Sequence, residues 1–181
     1  MEDIINKLPN SIIFFTIAII ILLIAAVQKN NNFFNITYVI KKHFEIFGGN
    51  ILAITTFFIV PLLLAIGIAK EKVVSKDILS IVSLIITIFL SFFFALIGVL
   101  TSNNNSSNDN KKIVINETFN TVVFECTLSI ILLLCIFVTI FLDTYKLNVF
   151  TFFMSLLIYY LFFIITINIF IIIKRISKIF K

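Results

Sequence analysis

Two polar side chains sit inside runs that are otherwise almost wholly apolar. Glu125 and Asn168 are each flanked on both sides by Ile, Leu, Phe and Val. A carboxyl in hydrocarbon is costly and turns toward a protein interior rather than toward lipid. Three kinds of chemistry are open to it: a polar clasp between helices, the lining or gating of a pore, and proton transfer. Glu125 lies roughly 6 Å below the start of its helix and Asn168 roughly 7 to 8 Å from the end of the next, at 1.5 Å per residue. The two runs are antiparallel, so both residues fall near the same leaflet. Glu125 is expected to meet Asn168, or to reach Lys174 or Arg175. Tyr159 and Tyr160 share the run of Asn168. Phenol hydroxyls in a dry environment need partners, which predicts an interhelical contact there.

A second group is defined by small size. Ser80, Ser83, Thr87, Ser91 and Gly98 fall on one face of a helix. Small and hydroxylated residues on one face let helices approach closely, or line an aqueous path between protomers. Ala65 and Ala69 form a weaker pair of the same kind, and Pro61 predicts a kink or hinge in its helix. Cys126 and Cys135 are nine residues apart, on opposite faces of one helix, and so cannot bridge each other. They read as small buried hydrophobes. His43 is the single histidine. There is no glycine-rich phosphate loop, no zinc-ligand spacing and no nucleophile elbow. No metal, cofactor or catalytic residue is expected. No carboxylate pair lies deep in an apolar run, and no inverted repeat of the transporter kind is visible.

These residues must be held by membrane helices. Of the 181 residues, 61% are hydrophobic and 13% charged, and the mean hydropathy is +1.18. A soluble domain carries about a quarter charged residues and cannot hide so much Ile and Phe from water. The reading is a single all-α integral-membrane domain over 1–181, a bundle of four to five transmembrane helices with an interfacial amphipathic helix. A span needs about 20 mostly apolar residues. Five segments qualify: 11–27, 51–69, 78–100, 121–142 and 149–173. The first lacks the positive n-region and small-x-small site of a signal peptide and reads as a retained helix. The loop Thr101–Asn120 contains the polar low-complexity tract Ser102–Asn110.

The interfacial helix is predicted over 33–47. Phe33, Ile36, Ile40, Phe44 and Phe47 form one stripe, opposite Asn35, Tyr38, Lys41, Lys42 and Glu45. Such a helix lies in the headgroup plane. Lys41 and Lys42 are candidate contacts to anionic lipid, each contributing on the order of 1 kcal/mol, or to a cytosolic protein. Lys174, Arg175 and Lys178 form a similar basic handle at the end of the last helix. The net charge of +5 fits headgroup contact and cytoplasmic loops rather than nucleic acid. With five spans, five Lys lie on the N-terminal side and nine Lys and Arg on the other. That bias places the N-terminus outside and the C-terminus in the cytoplasm. The wealth of Phe, Ile, Asn and Lys is that of an AT-rich bacterial genome, which puts the chain in a bacterial plasma membrane.

Three stretches carry a resemblance. Lys42-His43-Phe44-Glu45-Ile46-Phe47, Val60-Pro61-Leu62-Leu63-Leu64-Ala65 and Ile172-Ile173-Lys174-Arg175-Ile176 resemble the small multi-span membrane proteins of bacterial anti-phage loci, in particular the membrane subunits of Kiwa-type systems. That resemblance implies work with a cytosolic DNA-binding partner and supplies no catalytic residue. The expectation is a non-enzymatic, homo-oligomeric membrane subunit of a defence complex, sensing membrane disturbance or recruiting a cytosolic protein. A pore-forming or depolarising effector is the alternative, and a small transporter the third.

Overall fold

A computed structural model describes Ile17 and residues 36–45, 51–102, 109–142 and 148–179. Among these the protein is all-α: every described residue is helical except 72–75. The helices are α1 (Ile36–Glu45), α2 (Ile51–Glu71), α3 (Lys76–Ser102), α4 (Asp109–Leu142) and α5 (Asn148–Ile179). The predicted span 11–27 lies outside the described residues apart from Ile17. The chain divides into two units, the second beginning at Lys42. That second unit holds the end of α1 and all of α2–α5.

Four helices, α2 to α5, are long and apolar enough to cross a bilayer. The chain is a multi-pass membrane protein. Within the second unit α3 packs on α4, α4 on α5, and α5 on α2. The central pair is therefore α4 and α5, and 39% of each apolar window is buried, against 22% for α2 and 17% for α3. Outward-facing Leu63, Leu84 and Phe94 are each more than half exposed in the isolated chain. A soluble monomer does not carry apolar patches of this kind, whereas a bilayer covers them.

Seven-residue spacing explains why α4 and α5 pair. Buried positions along α4 alternate by three and four: Ile115, Thr118, Val122, Glu125, Ser129, Leu132, Ile136 and Thr139. On α5 the same alternation runs through Ile158, Leu161, Ile165, Asn168 and Ile172, with Ile179 one heptad further on. A repeat of 3.5 keeps one seam facing the partner along the whole helix. Glu125 and Asn168 occupy seam positions.

The linker 72–75 is closed by local bonds. Ser75 caps α3, its Oγ accepting from the Ile78 N–H at 3.4 Å, with Asp77 in the first turn. The Val74 N–H donates to Ser155 Oγ of α5 at 3.0 Å. Pro61 is buried within α2, which continues on both sides of it.

The fourth helix departs from expectation. It begins at Asp109 rather than at 121. The polar residues Lys111, Lys112, Asn116 and Glu117 suggest a loop, but Ile115, Thr118 and Val122 between them are buried at helical spacing. One buried stripe is enough to hold this part of the helix against its neighbours, while the polar residues occupy its other faces. The fifth helix likewise runs past 173 to Ile179.

Candidate functional site

Because α4 and α5 are antiparallel, residues near the start of one meet residues near the end of the other. Asn168 Nδ2 donates a hydrogen bond to Glu125 Oε1, and both side chains are wholly buried. Glu125 stands sixteen residues after Asp109, near the middle of α4. The helix starts before the apolar run rather than at 121. The earlier start adds about 18 Å of helix ahead of the apolar run, at 1.5 Å per residue. Three buried oxygens on this seam have no hydrogen-bond partner among the described residues: Glu125 Oε2, Asn168 Oδ1 and Ser129 Oγ. The neighbouring hydroxyls of Thr118, Thr121, Thr127 and Thr139 each donate to the carbonyl four residues back.

One turn before Glu125, Thr121 Oγ1 accepts from Arg175 Nη1 at 3.1 Å. Arg175 Nη2 stands 3.9 Å from Glu117 Oε2, and the Glu117 side chain is 46% exposed. Arg175 thus meets Glu117 and Thr121, whereas the Glu125 carboxyl is engaged by Asn168. Lys174 is exposed. The Lys178 side chain lies outside the described residues. Beside Glu117 a cavity of about 260 Å³ is lined by Lys42, Glu45, Ile113, Asn116, Glu117 and Asn120.

The end of α1 closes over this region through aromatic contacts. The His43 ring stacks on Phe124 at 4.0 Å between centroids and 8° between planes. It lies 5.6 Å from the Phe57 ring, and Phe44 stacks on Phe58 at 5.2 Å. Burial foremost, and then the nearby Arg175 charge, lower the His43 pKa to about 4. His43 is 1% exposed, while Ile40 and Phe44 of the predicted stripe are 39% and 37% exposed in the isolated chain. Exposure of those two is what an apolar face turned to lipid requires. Phe33 and Phe47 lie outside the described residues. Lys41 is exposed, and Lys42 forms an ion pair with Glu45 at 2.9 Å.

Tyr159 does make an interelement contact, though not in mid-helix. Its hydroxyl donates to the Lys72 carbonyl at 3.2 Å, at the end of α2. A helical tyrosine leans toward its own N-terminus, which turns the hydroxyl toward the 72–75 linker. Tyr160 is half-buried against the core. The small-residue face is also placed differently from a buried packing face. Ser80, Thr87, Ser91 and Gly98 are exposed in the single chain and Ser83 half-exposed. The hydroxyls of Ser83, Thr87 and Ser91 donate to carbonyls of their own helix. The face of α3 that packs on its neighbours carries Leu79, Val82, Ile86, Phe93 and Leu100. Large apolar side chains bury more area than hydroxyls and take the intramolecular contact. Cys126 and Cys135 are free thiols.

Sequence reasoning missed His43, Thr121 and Ser129. The two hydroxyls have a usable signal, since both stand one helical turn from Glu125. His43 has none, because its stacking partner Phe124 is far away in sequence. No protein-family model matches the chain, and no curated protein or solved structure does so either.

Proposed function

We propose that the protein is a non-enzymatic, oligomeric membrane subunit of a bacterial anti-phage defence complex, which senses membrane disturbance or recruits a cytosolic partner. One observation carries the reading: the His43–Phe124 stack ties an amphipathic helix to the residue preceding Glu125. A displacement of α1 at the headgroups is thereby felt at the buried seam, and a change in the seam is felt at α1. In this reading the membrane is the bacterial plasma membrane. The end of α1 and the basic end of α5 face the cytoplasm, where Lys42 and Lys174 meet anionic lipid or the partner protein. The defence setting rests on the resemblance of the three stretches named above.

Phage challenge of cells carrying the intact operon tests this, with the gene deleted or carrying Phe124→Ala. Deletion is expected to abolish protection. Phe124→Ala is expected to reduce it at unchanged membrane abundance, read by a tag. Full protection without the gene would sink the proposal.

A second reading, a pore-forming or depolarising effector, is favoured by the exposed hydroxyls of Ser80, Thr87 and Ser91. Dye-reported depolarisation on expression of this chain alone would support that reading over the first.

A further inference from the structure

We propose that Glu125 and Asn168 form an intramembrane proton-binding site, in which one proton on Glu125 Oε2 completes a two-bond acid–amide pair across the α4–α5 seam. The proposal starts from the two orphaned oxygens. Asn168 Nδ2 already donates to Glu125 Oε1. The atoms left without partners are the other oxygen of each group, Glu125 Oε2 and Asn168 Oδ1. Both can only accept while the carboxyl is ionised. A carboxylic acid and a primary amide match each other two for two, as each has one donor edge and one acceptor edge. A single proton on Oε2 therefore supplies the missing donor, and Oε2–H to Oδ1 becomes the second hydrogen bond. No bond other than O–H forms, and nothing is oxidised or reduced.

Charge leads to the same place. On the elements nearby, the ionisable groups are Glu117 and Cys126 on its own helix, Arg175 on α5 and His43 on α1, with the Lys42–Glu45 ion pair of α1 at the cavity beyond Glu117. Arg175 is engaged by Glu117 and Thr121. His43 is held neutral near pH 7 by its burial. The ionisable residues of α3, Lys76 and Asp77, stand at the far end of that helix, as do Lys70 and Glu71 on α2. Glu117 thus takes the guanidinium and Glu125 is left without it, and a buried ion without a counter-charge is costly. A proton removes that charge where it stands.

Polar side chains on the same face lead from Glu125 toward solvent. Glu117, Thr121 and Glu125 follow one another at one-turn steps. Glu117 is half-exposed at the cavity beside Lys42 and Glu45, whereas Thr121 and Glu125 are buried. Removing the proton leaves a charge and breaks one of the two cross-seam bonds, so occupancy of the site sets how tightly α4 holds α5. This holds whether or not the protein serves in defence.

Infrared spectroscopy of the full chain in lipid vesicles at pH 7 tests the site. A protonated carboxyl has a carbonyl stretch well separated from the carboxylate bands. Wild type is expected to show that acid band, Glu125→Gln to lose it, and Asn168→Leu to shift it upward as the hydrogen bond is lost. If Glu125→Gln fails to fold, ¹³C-labelled glutamate shows whether the acid band belongs to a glutamate, and its shift in Asn168→Leu assigns it to Glu125. A spectrum in which Glu125→Gln, or the label, changes only the carboxylate bands overturns the proposal. So does conversion of the acid band to carboxylate by added sodium at constant pH, which would make the site one for a metal cation.

Discussion

At the scale of single residues, Asn168 is the side chain on which the buried carboxyl depends. Asn168→Leu removes the amide and leaves Glu125 buried without it. A buried group stripped of its partner costs about 1–3 kcal/mol, read as a lowered unfolding temperature in detergent. Glu125→Gln keeps a hydrogen-bonding edge and is expected to cost less than Asn168→Leu. His43 gives a pH prediction of definite sign. Its pKa is lowered from 6.5 to about 4 in the folded state. Above pH 6.5 the ring is neutral both docked and free, and docking of α1 keeps its full stability. As pH falls from 6.5 toward 4 the undocked ring takes up a proton that the docked ring refuses. Docking then weakens by on the order of 3 kcal/mol, at 1.36 kcal/mol per pKa unit. Hydrogen exchange over residues 36–45 should quicken across that window, and His43→Phe should keep the stack and abolish the pH dependence.

At the scale of elements, the seven-residue alternation on α4 and α5 explains both the pairing and the position of the polar seam. The apolar runs marked these helices, but 3–4 spacing decided which residues became interior. It also carried α4 back to Asp109 through residues whose polarity suggests a loop. The α3 face behaves oppositely. A methyl group added at Gly98 meets nothing within 4 Å. In the isolated chain Gly98→Ala should therefore stabilise the helix by about 0.5–1 kcal/mol, as alanine is the better helix former. If copies of the chain associate through this face, Gly98→Phe should instead lower the oligomer mass measured by light scattering in detergent, with the helical content unchanged.

At the scale of the whole molecule, the four long helices require their connections to alternate sides. Ser75 and Ser102 are both exposed, at opposite ends of α3. Single cysteines at these two positions are expected to react with an impermeant thiol reagent from opposite faces of the membrane. The native Cys126 and Cys135 serve as unreactive controls, one buried and the other half-buried within α4. Labelling of both positions from one side would rule out α3 as a span. The class of the protein was legible from composition because bilayer insertion responds to the local density of apolar residues, a property of the chain in one dimension. The same density located four helices to within a few residues at most of their ends. It placed Glu125 and Asn168 among the buried polar residues, since a lone carboxyl or amide in hydrocarbon has few other places to go. Only the tertiary structure decided that His43 lies flat on Phe124, that Arg175 turns to Thr121 and Glu117, and that the hydroxyl face of α3 looks outward. Each of those outcomes depends on which helix packs beside which, and on the register between them, and these are set by the summed fit of large apolar side chains across the whole seam.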